Sequence, residues 1–335
     1  MATRVFLSLA TVPISKLASM TLNLIVHKVA SECRVAQRGF TIIEMVMVIV
    51  LLGIVSSMVA VFIKAPVEGY AASAWRATMT DEADTVMRRM TREIRGALPN
   101  SLRQSSNACI EFIPVKTTAR YRSENASGGG GLPLSFTTAG NFDMLGLNTN
   151  LSTEQQIAPG DLIVIHNLGS TGGSDAYSAT AGVSNSGTVT VGSTLQQNST
   201  ASDIAAPTYN PTVALKPNET RIPMTWPSTP PLASSSERFF VVSASEQMVA
   251  FVCSNGKLYR SSSASLTTTP SCSTAGASTT VLASDVGACA FDYSSRADLQ
   301  RNGLLKVNLS LTTNAGTSNA TTVTLYQEVH VNNSP

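Results

Sequence analysis

Charge is what this chain of 335 residues has least of. Charged side chains make up 13% of it, where an average soluble domain carries about 25%. The 23 Lys and Arg nearly cancel the 21 Asp and Glu, leaving +2. There is no basic field to hold a nucleic acid and no acidic run of the kind that marks a disordered tail. Histidine is scarcer, at three residues, and the five cysteines form no CxxC pair, so the spacing of a zinc site is missing. No nucleophile elbow, P-loop or metal-protease signature occurs. The Gly128–Gly131 run lacks the Lys-Ser/Thr that a phosphate loop needs. These absences point away from an enzyme, from a cofactor or metal, and from a small-molecule substrate or nucleic acid as partner. Apolar residues are plentiful by contrast. At 43% they suffice for a core, which excludes collagen-like, disulfide-miniprotein and wholly disordered chains. The length suits two domains.

What charge there is lies unevenly. Residues 1–39 hold Arg4, Lys16, Lys28, Arg34 and Arg38 against Glu32 alone, while the remainder holds 18 basic and 20 acidic residues. This basic flank precedes one apolar run, Phe40 to Ile63, of 24 residues. As a helix the run would span about 36 Å, enough for a hydrocarbon core of about 30 Å. The basic flank before it and the lone Lys64 after it place the N-terminus in the cytoplasm and the rest outside. The run exceeds the usual h-region of about 7–15 residues, and no small-x-small site closes it, so a cleaved secretory signal fits less well. Glu44 interrupts the run. An acid at the centre of a membrane helix costs about 2.5–3.5 kcal/mol. Glu44 therefore either reaches the headgroups, from four residues inside the span, or meets a positive partner after insertion.

The segment Arg38-Gly39-Phe40-Thr41-Ile42-Ile43-Glu44, followed by the apolar run, resembles the N-terminal signature of type IV prepilins and type II secretion pseudopilins. The resemblance implies a prepilin peptidase that cuts after Gly39 and methylates the new amine of Phe40. It also implies that Glu44, then fifth in the mature chain, neutralises the amine of a neighbouring subunit. An amine and a carboxylate attract far more strongly in low dielectric than in water, and leaving either unpaired is costly, which would fix axial register. Residues 1–39 become the leader, long beside those usual in the family, with Met20 as an alternative start. Many major pilins carry a proline within the span, whereas the first proline after Phe40 here is Pro66. The implied partners are the prepilin peptidase, other minor and major pilins, the inner-membrane assembly platform and the lipid bilayer. The implied location is the inner membrane, with a periplasmic head, and after assembly the pilus tip at the cell surface.

Beyond Pro66 the pattern becomes amphipathic. Trp75, Met79, Ala83, Val86, Met87, Met90, Ile94, Ala97 and Leu98 recur at helical spacing. Arg88, Arg89, Arg92 and Arg95 crowd the last turns, where cations complement the helix dipole, and read as a solvated face. Pro99-Asn100 ends the helix. The expectation is an α+β, type IV pilin-like fold. A long helix over 40–98, transmembrane over 40–63 and amphipathic beyond, packs on an antiparallel, β-rich head over 99–335. Candidate strands are 109–115, 161–166, 238–242, 247–253, 257–260, 289–293, 304–311 and 321–330, with Ser254-Asn255-Gly256 as a hairpin turn. Polar tracts at 123–131, 169–178 and 194–205 read as loops, and 137–230 as a possible inserted lobe.

Cys33 falls in the leader, which leaves Cys109, Cys253, Cys272 and Cys289. An even number on an exported chain implies two disulfides, with three connectivities open. The expected pairs are Cys253–Cys272, closing the hairpin region, and Cys109–Cys289, joining distant strands. Asp143, Asn148 and Asn150 supply loop oxygens of the kind that bind Ca²⁺, but ordinary turn chemistry accounts for them. A head of about 235 residues is bulky for a subunit repeated along a thin fibre, which favours a minor subunit. The stretch from Asp84 to Leu102 resembles the helix end of the larger minor pilins of the PilW and GspJ type. More narrowly, four segments are similar to minor pilin-like proteins of the mannose-sensitive haemagglutinin (MSHA) pilus systems. They are Ala97-Leu-Pro-Asn-Ser101, Cys253 with Lys257-Leu-Tyr-Arg260, Gly303-Leu-Leu305 and Leu325 to Pro335. Such a subunit would join a tip complex that primes assembly. The alternatives are a type II secretion pseudopilin of the J kind, a pilus-tip adhesin or binding module, and an uncleaved single-pass anchor.

Overall fold

A computed structural model describes residues 39–136, 140–169, 175–178, 188–191, 195–204, 213–225, 232–274, 278–294, 302–313 and 320–334. All of the expected leader before Gly39, including Cys33 and Arg38, lies outside the described residues. The chain divides into two compact units, Met1–Glu68 and Gly69–Pro335. One helix, α1 (Ile42–Arg95, 54 residues), contributes to both.

In the first unit every helical residue is exposed, and the apolar side chains from Phe40 to Ile63 point outward on all sides. Among the described residues this is the one helix long and apolar enough to cross a membrane, and none of its apolar stretch is buried within the protein. Pro66 lies inside the helix, where it has no N–H to give to the carbonyl of Phe62.

In the second unit the helix becomes one-sided. Met79, Ala83, Val86, Met87, Met90 and Ile94 are buried, three or four positions apart on one face. Trp75, counted in that stripe from its spacing, is 55% exposed, so burial begins one turn later, at Met79. The helix stops at Arg95 because the next residues take strand-like partners. Leu98 N–H donates to Ile113 O at 2.8 Å, Val115 N–H donates to Gly96 O at 3.1 Å, and Ala97 bridges Pro114.

Sixteen strands follow among the described residues. They are β1 (Arg103–Ser106), β2 (Cys109–Phe112), β3 (Thr117–Arg120), β4 (Phe142–Leu145), β5 (Leu162–Val164), β6 (Thr188–Val191), β7 (Gln196–Asn198), β8 (Glu219–Ile222), β9 (Met224–Thr225), β10 (Arg238–Val242), β11 (Met248–Ser254), β12 (Lys257–Ser263), β13 (Ser278–Ala283), β14 (Val286–Ser294), β15 (Asn302–Thr313) and β16 (Thr321–Asn332). All their pairings are antiparallel, in four sheets ordered β1-β2-β11-β12-β13, β3-β10-β5-β6-β9, β14-β15-β16 and β4-β8-β7. The architecture is therefore α+β, a long apolar N-terminal helix with an antiparallel β-rich globular part. The β11–β12 hairpin turns on Asn255 and Gly256, both at positive φ (51° and 69°), as a two-residue loop between twisted strands requires. Gly128 to Gly131 hold φ from 67° to 84°, a run that only glycine adopts without strain. Gly131 N–H is bonded to Ala214 O at 2.9 Å.

The main core lies between the buried face of α1, Ile110 and Phe112 of β2, Val249 and Phe251 of β11, and Leu305, Val307 and Leu309 of β15. Strands β4–β8 come from the 137–230 region, yet β5 pairs with β10, and Phe142 of β4 meets Phe239 of β10 edge to face at 5.2 Å. The next rung of β4–β8 carries an ion pair. Arg221 and Asp143, both fully buried, join through two bonds of 2.6 and 2.8 Å, and Arg221 also donates to Val213 O. Removing one partner leaves a buried charge uncompensated, at a cost of about 3–5 kcal/mol. Arg221→Met is thus expected to lower the unfolding free energy of the full chain in detergent by about that amount. Asp143→Leu added to Arg221→Met is expected to recover most of it, as read from denaturant midpoints.

Candidate functional site

Gly39 and Phe40 are exposed and lie outside regular structure, just before α1. Thr41 caps the helix. Its hydroxyl accepts from Glu44 N–H at 3.3 Å, and its carbonyl accepts from Glu44 N–H at 3.1 Å and from Met45 N–H at 3.2 Å. Thr41-Ile42-Ile43-Glu44 has the spacing of a capping box, a signal present in the sequence that the membrane reading of Glu44 passed over. Glu44 thus stands in the first helical turn, where the helix dipole favours a negative charge. A positive amine on Phe40 would sit one residue before the cap, at the same positive pole, where a cation is disfavoured. The start of α1 therefore suits a carboxylate and leaves an adjacent amine in need of one.

The disulfides differ from the expected pairing. Cys109 joins Cys272, with Cα atoms 6.0 Å apart, and Cys253 joins Cys289, at 6.1 Å. Strand geometry gives the reason. In the β2–β11 register Cys109 stands opposite Val252, so Cys253, one residue on, points to the other face of the sheet. On one face Cys109, Ala250 and Val252 pack with Cys272. On the other, Cys253 and Cys289 pack against the main core. Hence Cys253 cannot reach the loop that carries Cys272.

Other residues singled out by spacing prove structural. Asp143 is on strand β4 and pairs with Arg221, so turn chemistry does not describe it. Asn148 does behave as a turn residue. Its amide donates to Ile157 O and its carbonyl accepts from Ile157 N–H, closing the loop that also carries Asn150. His166 takes φ 52°, and His330 is exposed on β16. Among the described residues no three His, Cys, Asp or Glu side chains group as metal ligands would. Of the helix-end arginines, all four exposed, Arg88 pairs with Asp84 at 2.8 Å and Arg89 with Glu93 at 3.0 Å.

A buried polar node, not visible from spacing, secures the Cys272 loop. Arg103 pairs with Glu111 and donates to the carbonyls of Thr267 and Thr268. Its guanidinium lies 3.5 Å from the centre of the Tyr177 ring. Tyr177 donates to Ser101 O at 2.8 Å. Beside this loop runs a half-open cleft of about 490 Å³ lined largely by hydroxyls, among them Ser261, Ser263, Ser271 and Ser278, over Met248 and Ala250.

Residues 34–60 match the family model described as the prokaryotic N-terminal methylation motif. The match takes in Gly39, Phe40 and Glu44. No curated protein and no solved structure matches the chain. Together with the long apolar helix, the motif supports a type IV pilin-like or pseudopilin-like protein anchored in a membrane. It implies prepilin peptidase processing and association with other pilins in general terms, and its family is structural rather than enzymatic.

Two outcomes follow from this chemistry. Non-reducing peptide mapping of the full chain is expected to yield the linked peptides 109/272 and 253/289, and none linking 253 to 272. Burial pushes the Tyr177 phenol well above its ordinary value of 10.0, against the pull of the Arg103 charge. The unfolded chain therefore loses that proton first, and stability is complete below pH 10 and declines above it. Tyr177→Phe is expected to give a shallower fall in thermal midpoint between pH 9 and 11 than the native chain.

Proposed function

We propose that this chain is a minor type IV pilin-like subunit. It inserts in the inner membrane with its N-terminus cytoplasmic and its head periplasmic, is cut after Gly39, and is N-methylated on Phe40. It then joins a tip or priming complex of an MSHA-type pilus. The observation that carries the reading is Glu44 in the capped first turn of α1, whose apolar N-terminal half is exposed throughout and begins just after Gly39-Phe40. In hydrocarbon that carboxylate is costly until a cation meets it, and the amine of a processed neighbour has the matching charge and depth. The finer assignment draws on the likeness of Ala97–Ser101 and of Leu325–Pro335 to the MSHA pilus biogenesis protein MshO. The adhesin reading has one feature to build on, the hydroxyl-lined cleft beside β12, which an assembly role does not require.

Intact mass and N-terminal peptide mapping of the protein from membranes of a cell with active prepilin peptidase test the processing step. The expected product begins at N-methylated Phe40 and disappears with Gly39→Val. Glu44→Ala is expected to leave cleavage intact and to cut incorporation into sheared fibres at least about tenfold. That corresponds to the loss of roughly 1.4 kcal/mol or more of subunit pairing. A chain that keeps residues before Gly39 in such a cell would overturn the proposal and leave a single-pass anchor.

A further inference from the structure

The β1-β2-β11-β12-β13 sheet turns one face to the main core, through Val249, Phe251 and Leu258. The strand registers define its other face. Met248 stands opposite Ser263, Ala250 opposite Ser261, and Ser261 opposite Thr279. Val252, Tyr259 and Val281 form the next row, with Tyr259 half-buried and Val281 51% exposed. Residues 264–274 are tied down on the β1–β2 side of this face. Arg103 donates to Thr267 O at 2.8 Å and to Thr268 O at 3.0 Å, Glu111 accepts from Ser271 N–H at 3.0 Å, and Cys272 is bonded to Cys109. Between this loop and the strands runs the cleft of about 490 Å³, within the range of about 300–1,000 Å³ usual for small-molecule sites. One wall of it is thus fixed by a buried ion pair and a disulfide, and a wall already ordered spares a ligand the entropy of ordering it.

We propose that this cleft binds an uncharged saccharide. Among the described residues that line it none is charged, and the charges behind the wall, Arg103 and Glu111, are paired with each other. An ionic ligand would enter without a counter-charge, which is costly. A purely apolar ligand would strip water from the lining hydroxyls and return no hydrogen bond. A peptide adding as a strand needs a row of free backbone groups, whereas the floor here is made of side chains on a sheet face. A saccharide matches what is left. Each hydroxyl has one donor and two acceptor sites, and the lining offers both kinds. Ser261 accepts from Thr279 at 3.3 Å and keeps its own proton to donate, while Thr267 donates to Thr269 O at 2.8 Å and keeps acceptor capacity. Met248 and Ala250 supply an apolar floor for the C–H face of a sugar ring, and Tyr259, one row on, adds an aromatic surface. This names a ligand class for the adhesin reading, and it rests on the head alone, apart from processing at Gly39.

The test presents the full chain in detergent to immobilised neutral oligosaccharides of hexoses and N-acetylhexosamines, with their carboxylated and sulfated forms alongside. The native chain is expected to bind at least one neutral oligosaccharide, to release it to the same sugar in solution, and to gain nothing from added charge on the ligand. Ser261→Leu should weaken that binding at least about tenfold. Tyr259→Ala should weaken it as well, while Tyr259→Phe, which keeps the ring, should preserve it. Should Ser261→Leu disturb the sheet, Ser278→Leu, altered at an exposed position of the lining, reads the same surface, and the linked 109/272 peptide reports that the wall is intact. Gly39→Val should leave binding unchanged, so failure of the processing step and failure of this site are told apart. Retention of no neutral oligosaccharide, retention of the charged forms alone, or full retention by both Ser261→Leu and Ser278→Leu would overturn the proposal.

Discussion

The apolar stripe from Met79 to Ile94 is the surface on which the head closes. An antiparallel sheet with one apolar face needs something to cover that face, and here two sheets share one cover. Ile110, Phe112, Val249 and Phe251 approach the stripe from the β1-β2-β11-β12-β13 sheet, while Leu305, Val307 and Leu309 approach from the β14-β15-β16 sheet. Without the helix each sheet would present its apolar side chains to water at roughly 1.5–3 kcal/mol apiece. The stripe also explains why the helix changes character. Before Glu68 its apolar residues have no buried contact among the described residues and face all directions, so they suit a lipid solvent. After Met79 polar residues occupy every position off one face. One continuous helix thus meets two solvents in succession.

Where that helix ends, a short polar junction fastens three distant parts of the chain. Asn100, at φ 60°, donates from its amide to Asn167 O and Asn333 O, and its backbone N–H donates to Asn333 Oδ1. Asn167 returns a bond to Pro99 O. Ser101 donates to Leu98 O and accepts from Ile113 N–H. A left-handed backbone is one that Asn tolerates better than most residues, and each amide here satisfies a carbonyl that would otherwise be left bare. Ala97–Ser101 and the residues around Asn333, more than 230 positions apart in the chain, are thereby held side by side. They are two halves of one clasp.

Much of this was legible in the sequence, and the misses share a cause. The 3.6-residue period gave the buried face of α1, alternation gave β15 and β16, and Asn255-Gly256 marked the β11–β12 hairpin. Trp75 fits the period yet stays exposed, because period reports a face and not whether anything lies against it. Strands of two to four residues such as β7 and β9 carry too few side chains to display alternation. The disulfide pairing turned on parity. Cys109 and Cys253 sit on adjacent strands but on opposite faces, and only the β2–β11 register reveals that. Asp143 and Arg221 are 78 residues apart in the chain; a buried ion pair leaves no local signature, and each residue alone reads as surface. The Thr41-x-x-Glu44 capping box was local and legible, and was hidden only by the stronger membrane signal around it.

That capping box bears on how the proposed assembly acid would work. Glu44 is not a free charge dropped into a membrane helix, since it stands where the dipole stabilises an anion and where Thr41 has already fixed the first turn. In a processed chain the Phe40 amine would lie near its own Glu44, and an internal pair would satisfy both charges without a neighbour. For assembly to win, the contact between chains must offer more than Coulomb attraction. The exposed apolar side chains on every side of Phe40–Ile63 provide it, because packing one such helix along another adds dispersion contacts that an internal pair cannot. On this argument the charge sets the register while the packing of the apolar helices supplies the affinity. Shortening the apolar run should then weaken association even with Glu44 intact.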